Sequence, residues 1–457
     1  MDAVRIRHQF ASGLTIALII ALLPSVTYPA SPAGQAIRVE LTRLGHPACV
    51  AISASSGAIS VSTPNARATT PSLELRPYAS RVACKSPKDG QTFAGEWIRI
   101  EPVDPAAALR LECAGKLPKC VRGAVEARIA NSGIRLVNEI ALEDYVLGVL
   151  PAEMPESYPL DALKAQAVTI RTYALRNRGK HSYTAADVCD SQHCQTYAGL
   201  PQGKARCLAA VQATTGLILT YDGEPAHVFY SADGGGSTQN YADAHPNRGL
   251  PYLCGVKDPD GVPHTSWEKS YTLAELAALL TRAGIKDATG LQTIRIADLA
   301  ATGRVLSVEV TGQSGTAKKV YAGKLRDVLG LDEFKSTLFT VDSTQQGIVT
   351  FKGKGYGHGI GLCQIGAKGL AQQPFNYTWD RILSHYFPGT AVTSLAPTRL
   401  AKAPPPTKPL SVASSPRTTP IKTPPRKVSQ PPRKETPKKP QTGELAFDVK
   451  LIDPDLP

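Results

Sequence analysis

The sequence predicts an α+β fold in which helices and antiparallel strands are mixed around a cleft, with a β-rich N-terminal region and a disordered Pro/Lys-rich C-terminal tail. Residues 37–130 alternate apolar and polar side chains in short runs separated by Gly, Pro and Ser, which is typical of strands. Further along, helical and extended patterns follow one another without a repeating βαβ order, which favours α+β over a parallel sheet. The residues after 395 are dense in Pro, Lys, Arg, Ser and Thr and cannot bury a core.

The N-terminus has the pattern of a secretory signal. Arg5 and Arg7 precede an apolar run at 14–23, and small residues follow at 30–36. This run is too short to span a bilayer comfortably, so we expect cleavage near 30–36, with an uncleaved anchor as the alternative. An exported protein of the periplasm or cell wall is therefore predicted. Its 457 residues divide into a signal peptide (1–36), a β-rich region (37–120), a main domain (121–395) and a tail (396–457).

The positive charge of the chain lies mainly in the tail. The formal net charge is +13, and residues 397–443 carry eleven Lys or Arg against one acid, Glu435. A flexible cationic segment of this kind is expected to bind an anionic wall polymer or a membrane surface. A solubilising spacer without a partner is the alternative. No nucleic acid partner is expected, because an exported chain leaves the cytoplasm.

The segment 121–175 predicts a β-hairpin followed by a helix, with an acidic residue just before the helix. The apolar residues of the helix recur at steps of three and four, at Leu160, Leu163, Ala167, Ile170 and Ala174. Lys164 and Arg171 lie seven apart, on a different stripe. Glu153 is placed in the preceding loop, where apolar neighbours raise a carboxyl pKa and cations or a helix N-terminus lower it. This balance suits a general acid, and a solvated loop glutamate is the alternative.

The remaining elements follow from periodicity and turn residues. Helices are predicted at 205–216, 272–284, 324–331 and 362–373, and strands at 217–223, 226–232, 293–299 and 303–312.

Cysteine and histidine are concentrated between residues 181 and 194. Cys189, His193 and Cys194 lie within six residues, and His181 precedes them by eight. Thiolates and imidazoles grouped in this way can complete a tetrahedral zinc site. A Cys189–Cys194 disulfide is the competing interpretation in an oxidising compartment. Further disulfides are plausible for the pairs Cys49–Cys84, Cys113–Cys120 and Cys207–Cys254, whereas Cys363 is predicted to be a small buried residue.

Two glycine-rich segments supply candidate polar groups for a cleft. GKGYGHGIGLCQIGA (353–367) lacks the spacing of phosphate or dinucleotide loops, and it presents His358 and Gln364. SADGGGSTQN (231–240) presents the hydroxyls and amide of Ser231, Thr238 and Gln239, which suit a glycan. A tight strand-to-helix turn and an ordinary loop are the respective alternatives.

Several segments resemble, in order, the stage II sporulation protein D / LytB amidase-enhancer family. They are LEDYVLGVLPAEMP with ALKAQAVTIRTYAL, then SADGGGSTQN, SGTAKKVYAGKLRDVLGLDEFKSTLF and GKGYGHGIGLCQIGA. The resemblance covers about residues 120–390 and implies a catalytic domain that acts on peptidoglycan. By this resemblance the protein is a lytic transglycosylase that cuts MurNAc–GlcNAc bonds in peptide-denuded glycan strands.

The resemblance also implies roles for the residues named above. Glu153 is the single acid/base, and Lys164, Arg171 and His358 are candidate supporting groups. Substrate-binding roles are expected for Ser231, Thr238, Gln239 and Gln364, and a structural zinc for His181, Cys189, His193 and Cys194. An ordinary glycosidase needs two carboxylates, and the nearby Glu143 and Glu156 are expected in a strand-to-turn segment and at the surface. Because some family members enhance a wall amidase, a non-catalytic glycan-binding or amidase-enhancing role is the alternative.

Overall fold

The computed structural model describes residues 35–395, apart from 88, 89, 91, 132, 246, 247 and 344–346. The signal segment up to residue 34 and the cationic tail from residue 396 lie outside the described residues. The strands are β1 Ala36–Glu40, β2 Val50–Ala54, β3 Ile59–Ser62, β4 Arg67–Thr70, β5 Ser72–Tyr78, β6 Arg81–Lys85, β7 Thr92–Gly95, β8 Trp97–Pro102, β9 Leu109–Glu112, β10 Lys119–Val121, β11 Ala124–Ala130, β12 Gly133–Ala141, β13 Val188–Cys189, β14 Leu217–Tyr221, β15 Glu224–Pro225, β16 Tyr230–Ser231, β17 Ser266–Thr272, β18 Thr293–Leu299, β19 Val305–Thr311, β20 Ala317–Tyr321, β21 Phe339–Ser343, β22 Ile348–Lys354, β23 Leu362–Cys363 and β24 Ala391–Ser394. The helices are α1 Leu142–Glu153, α2 Leu160–Arg176, α3 Ala205–Ala213, α4 Tyr241–Ala244, α5 Leu273–Arg282, α6 Ala322–Leu329, α7 Gln364–Leu370 and α8 Trp379–Tyr386.

The N-terminal region is β-rich, as predicted, and consists of two stacked sheets. One has the strand order β13-β1-β12-β11-β8-β3-β4 and the other β10-β9-β2-β5-β6-β7. Alternation along each strand sends apolar side chains such as Ile52, Val82 and Ile100 to the space between the sheets, where they are fully buried. The mixed α+β class predicted from the sequence is confirmed.

The predicted hairpin forms from β11 and β12, and it ties the β-rich region to the helices. β12 pairs with β1 and β11 pairs with β8, so the first sheet continues across the predicted boundary at residues 120–121. Helix α1 begins at Leu142, directly after the last residue of β12. The sheet therefore sets the position and direction of α1.

Helix α1 corrects two expectations from the sequence. Glu143 lies in the first turn of a helix, not in a strand-to-turn segment, and Glu153 is the last helical residue, not a loop residue. Helix α2 is buried on nearly all sides rather than on one face. It is surrounded by α1, α3, α7, α8 and β14, and small residues such as Ala162 and Ala165 let these neighbours approach closely.

The segment from β17 to β22 forms a second unit with its own core. Two three-stranded sheets, β17-β22-β21 and β18-β19-β20, pack with α5 and α6 around residues such as Trp267, Val308 and Phe351. The side chain of Thr272 accepts from the Glu275 amide, and the Glu275 side chain accepts from the Thr272 amide, so a capping box starts α5. The predicted helices and the 293–312 strand pair are present here.

Besides α1, the helices α4 and α8 were not predicted from the sequence, and one strand was predicted too long. Helix α8 has only eight residues and follows a loop, yet it packs on α2. In the predicted strand at 226–232, only Tyr230–Ser231 is a strand. Within the described part of the chain, no helix combines the length and apolarity needed to cross a membrane.

A buried ion pair joins α1, α2 and β14. Arg171 is fully buried, and its Nε and Nη2 donate to the two carboxylate oxygens of Glu143 at 2.8 and 2.6 Å. Its Nη1 donates to the Leu217 carbonyl at 2.9 Å, and the Gly216 amide donates to Glu143 at 3.1 Å. Every group of the pair thus has a partner, which is the condition under which a buried ion pair is tolerated.

We expect Arg171→Gln to lower the free energy of unfolding by about 3–5 kcal/mol, because the Glu143 carboxylate would remain buried without its cation. Urea denaturation measures this change. Arg295→Gln is the matched control, since Arg295 pairs with Glu309 at an exposed position and should cost at most about 1 kcal/mol. Equal losses in the two variants would contradict the assignment of the Arg171 pair as a structural centre.

Candidate active site

The part of the fold that is built around α1 and α2 is called the helical body below. A cavity of about 1060 Å³ lies between it and the second unit. The helical body contributes Glu153, Tyr230 and His358 to its wall, and the second unit contributes Tyr321 and Arg326. A volume of this size accommodates an extended ligand of several rings.

Glu153 is held at the cavity wall by the way helix α1 ends. The next residue, Met154, is extended, as expected for a residue that precedes proline, so the helix stops at Glu153. The Thr196 amide donates to Glu153 Oε1 at 2.6 Å, and the Tyr230 hydroxyl donates to the same carboxyl. Burial raises the pKa of Glu153, and these hydrogen bonds only partly oppose it.

The sequence analysis placed cations and a helix N-terminus beside Glu153, and this was wrong. Glu153 lies at the C-terminal end of α1, where a negative charge is disfavoured. The groups that lower its pKa are the neutral Thr196 and Tyr230.

A chain of neutral side chains orients the Glu153 carboxyl from behind. The Tyr145 hydroxyl donates to Gln195 Oε1 at 3.0 Å, and Gln195 Nε2 donates to the Tyr230 hydroxyl at 3.2 Å. The Tyr230 proton is therefore directed to Glu153. Sequence reasoning missed these residues, because they come from α1, the loop after the cysteine cluster and β16. The sequence indicated them only by position: Tyr145 lies in the LEDY segment, Gln195 follows Cys194, and Tyr230 precedes SADGGGSTQN.

His358 lines the same cavity as Glu153, and it is neutral. Burial and, to a smaller extent, the guanidinium groups of Arg326 and Arg304 lower its pKa to about 4. Its Nδ1 accepts from the Ile360 amide at 3.0 Å, which assigns the proton to Nε2. The ring is thus a fixed hydrogen-bond donor.

Lys164 and Arg171 do not line the cavity, so the structure does not support the expectation that they assist Glu153. Arg171 is committed to Glu143, and Lys164 lies 3.5 Å from Asp161. The sequence placed both on one stripe of α2, but other helices cover α2 on most sides, so a shared stripe does not imply a shared cleft.

Three of the four residues predicted to bind substrate line the cavity, namely Ser231, Gln239 and Gln364. The Ser231 hydroxyl and Gln364 Nε2 are buried and have no hydrogen-bond partner among the described residues. Thr238 is outside the cavity, and its hydroxyl accepts from the Val256 amide at 2.9 Å. Its role is to hold the loop.

The glycine-rich segment packs against the protein itself rather than against a ligand alone. A Cβ atom at Gly359 would lie 2.2 Å from the Arg304 guanidinium, and one at Gly357 would lie 2.6 Å from the Ser231 Cβ. Both glycines have positive φ, at 76° and 118°. These contacts set His358 between them at the cavity wall.

The four predicted metal ligands come together. The ligand atoms of His181, Cys189, His193 and Cys194 all lie within 4.8 Å of one another. His181 Nε2 is 3.3 Å from the Cys194 sulfur, and His193 Nδ1 is 3.6 Å from both sulfurs. Two thiols and two imidazoles so arranged can hold a metal ion with no fifth protein ligand. The pKa of Cys189 is lowered, because the Cys194 thiol donates to it.

The nine cysteines are free thiols in the structure. The expected pairs Cys49–Cys84, Cys113–Cys120 and Cys207–Cys254 are therefore not formed, nor is Cys189–Cys194. Cys363 is fully buried, as predicted, and its sulfur accepts from the Gly234 and Gly366 amides at 3.1 and 3.2 Å.

The Cys/His cluster is close in the chain to a residue that contacts Glu153, because Thr196 is the second residue after Cys194. His193 and Cys194 line the cavity, and Thr196 follows them with its amide on Glu153. On the other side, the Tyr183 hydroxyl is 3.2 Å from His181 Nδ1, and Glu40 lies 3.7 Å from the same atom. Such outer contacts orient an imidazole that binds a metal.

The site thus combines a carboxyl at the end of a helix, a large cavity and a Cys/His cluster. The model of the family described as Stage II sporulation protein matches residues 130–221. A domain of unknown function (DUF8618) matches residues 257–361, which contain the second unit. The chain belongs to the stage II sporulation protein D family.

Individual relatives agree with this assignment. An uncharacterized protein of Brachyspira hyodysenteriae is 33% identical over 267 residues, which are 57% of this chain and 69% of the relative. Stage II sporulation protein D of Bacillus amyloliquefaciens is 29% identical over 66% of this chain and 89% of its own length. The amidase enhancer of Bacillus subtilis is 32% identical over 54% of this chain, but only 40% of the enhancer is covered.

We expect the Glu153 carboxyl to titrate above an ordinary glutamate. In ¹³C-detected NMR, the side-chain carboxyl resonance absent from Glu153→Gln identifies this group, and its midpoint gives the pKa. Because the folded-state pKa is raised, the folded protein binds more protons than the unfolded chain between the two pKa values. This contribution to stability is thus present at low pH and is lost as the pH rises through the raised pKa. A midpoint at or below the ordinary value would contradict the desolvated site.

Proposed function

We propose that this protein is a peptidoglycan lytic transglycosylase in which Glu153 is the single acid/base. The observation that carries the proposal is the desolvated Glu153 carboxyl, held by Thr196 and Tyr230 at the wall of a large cavity. A carboxyl in this environment keeps its proton closer to neutral pH, which a general acid requires. The substrate follows from the family resemblance: peptide-denuded strands of alternating MurNAc and GlcNAc.

The reaction needs one proton donor that also acts as acceptor. Glu153 donates its proton to the oxygen between MurNAc and GlcNAc, and the bond from that oxygen to MurNAc C1 breaks. The Glu153 carboxylate then removes the proton of the MurNAc 6-hydroxyl, whose oxygen closes onto C1. The product is a 1,6-anhydro ring, and Glu153 regains its proton without consuming water. Tyr230 and the Thr196 amide stabilise the intermediate carboxylate, and His358 can donate from Nε2 to a sugar oxygen.

Hydrolysis would require a second carboxylate, and the two acids close in sequence are engaged elsewhere. Glu143 pairs with Arg171, while Glu156 accepts from the Arg206 amide at 2.8 Å. The cavity wall also includes Asp243, Asp298 and Asp327. The reaction product separates the two chemistries, because hydrolysis leaves a reducing end and transglycosylation leaves an anhydro ring.

We expect Glu153→Gln to reduce glycan cleavage by about 10²–10⁴-fold, since proton transfer by a positioned carboxyl contributes about this much. Purified protein is incubated with peptide-stripped glycan strands, and mass spectrometry counts anhydro-muramyl ends. Glu156→Gln is the matched control and should cleave like the unchanged protein. Reducing ends in place of anhydro ends, or full activity of Glu153→Gln, would overturn the proposal.

A second candidate function is a non-catalytic glycan-binding protein that enhances a wall amidase. The 32% identity to a protein named amidase enhancer supports it, and the cavity would then bind glycan without cutting it. In the same experiment this function predicts binding of glycan strands without new ends, and faster release of stem peptides when a wall amidase is added.

We further propose that the Cys/His cluster binds zinc in a structural role. His181, Cys189, His193 and Cys194 would be the four ligands, and four protein ligands leave no position for a reactive water. Zinc chemistry would then be limited to holding the loop that presents the Thr196 amide to Glu153. The two thiols and two imidazoles fit a borderline-soft ion of tetrahedral preference.

Zinc removal is expected to lower both thermal stability and cleavage, because the loop carrying Thr196 would lose its anchor. The full chain should contain about one zinc per molecule by mass spectrometry of metals, and Cys189→Ser/Cys194→Ser should contain none. Cys254→Ser, which removes a thiol outside the cluster, is the control. Unchanged metal content in the double variant would rule out the site.

Export to the periplasm or cell wall is part of the same proposal. Its support is the Arg5 and Arg7 pair before an apolar run, and the substrate itself lies outside the cytoplasm. Gln35 and Ala36 belong to the fold, since the Gln35 carbonyl accepts from the Leu142 amide and Ala36 pairs with Ala141. Cleavage before Gln35 would preserve both contacts. The tail is proposed to bind an anionic wall polymer or membrane surface.

A further inference from the structure

Arg326 is a buried cation in the cavity wall, and none of the described carboxylates forms an ion pair with it. Its side chain comes from α6 of the second unit, and the residue is only 9% exposed. Nε donates to the carbonyls of Phe334 and Lys335 at 3.1 and 3.2 Å. Among the described residues, Nη1 and Nη2 form no hydrogen bond, and no carboxylate lies within ion-pairing distance of the guanidinium. An uncompensated buried charge is costly, so this arrangement needs an explanation.

Among the described residues, the charged groups nearest to Arg326 do not form an ion pair with it. Arg304, which is fully buried, also has no ion pair among the described residues, and like Arg326 it lowers the pKa of His358. His358 is neutral and therefore contributes a donor, not an acceptor. Asp327 and Asp332 attract Arg326 from a distance without forming an ion pair, and burial raises the pKa of Asp327. The two guanidinium nitrogens of Arg326 that have no partner among the described residues therefore offer an anion a place in this part of the cavity.

The proposed substrate carries one anion per disaccharide. When the stem peptide has been removed, each MurNAc ends its lactyl group in a free carboxylate; when the peptide is present, that carbon is a neutral amide. A guanidinium with two free N–H groups matches a carboxylate in a bidentate geometry.

We propose that Arg326 binds the lactyl carboxylate of a peptide-free MurNAc residue and so selects denuded glycan strands. This inference rests on the proposed glycan substrate but not on its cleavage. In this proposal the second unit selects the substrate through Arg326, and the helical body transfers the proton through Glu153. Strands that retain stem peptides are rejected because their lactyl carbonyl is a neutral amide and the peptide adds bulk next to His358.

The test compares three ligands that differ at one group. Peptide-stripped glycan strands are used with free lactyl carboxylates, or after conversion of these carboxylates to methylamides, alongside chitin oligosaccharides, which have no lactyl group. Affinity is measured by calorimetry in the Glu153→Gln background, so that cleavage does not interfere, and cleavage is measured with Glu153 present. We expect the free carboxylate to be preferred about 10–100-fold, as for a charge-assisted hydrogen bond.

Arg326→Gln should abolish this preference, and Arg326→Lys should retain part of it, since lysine keeps the charge without the fork. Arg282→Gln is the matched control: Arg282 is exposed, lies in the same second unit and does not line the cavity. Because Arg326→Gln also weakens the Phe334 and Lys335 contacts, thermal unfolding is recorded for every variant.

If the protein that retains Arg326 binds the carboxylate and methylamide strands equally, the inference is overturned, whatever the Arg326 variants do. Retained preference in folded Arg326→Gln would overturn it as well. Preference for the carboxylate without any cleavage would support Arg326 while refuting the transglycosylase. Cleavage to anhydro ends without a preference for the carboxylate would support the transglycosylase and refute the role of Arg326.

Discussion

The Arg171–Glu143 ion pair is the interaction on which the rest of the structure depends. It joins the first turn of α1 to the middle of α2 and, through the Leu217 carbonyl and Gly216 amide, to the start of β14. Since α1 begins directly after a strand of the first sheet and is fixed to α2 by this pair, its far end has a defined position. Glu153 is that far end, and its carboxyl meets Thr196 and Tyr230 for this reason.

The environment of Glu153 is built from neutral groups. A cation close to the carboxyl would lower its pKa and release its proton too early for acid catalysis. The cations of this region are placed elsewhere. Arg171 is neutralised by Glu143, and burial together with the guanidinium groups of Arg326 and Arg304 lowers the pKa of His358 to about 4. One cavity thus contains a carboxyl with a raised pKa and a guanidinium group available to an anion, and the two do not neutralise each other. Both properties depend on exclusion of water, because full hydration would screen the charges and restore ordinary pKa values.

Much of this protein was predictable from local sequence signals. Period-two alternation identified the β-rich region, the 3.6-residue period identified α2 and α5, and the concentration of Cys and His between 181 and 194 identified four groups that do meet. The wrong predictions concern properties that depend on packing between distant segments, about which the local sequence carries no information. The stripe of Lys164 and Arg171 was correct as helix geometry, yet α2 is covered on most sides, so the stripe faces other helices and not the cleft. Cysteine pairs were assigned from spacing, whereas pairing depends on the distance between strands.

The sequence by itself determined the fold class, the position of the acid in its motif and the set of possible metal ligands, because these properties depend on residues close together in the chain. Only the tertiary structure decided that Glu153 ends a helix, that Tyr145, Gln195 and Tyr230 form a chain behind it, and that Arg326 reaches the same cavity. These groups are up to 181 residues apart in the chain. Their proximity is produced by packing between two separate cores, and no periodicity or spacing encodes the distance across a cavity.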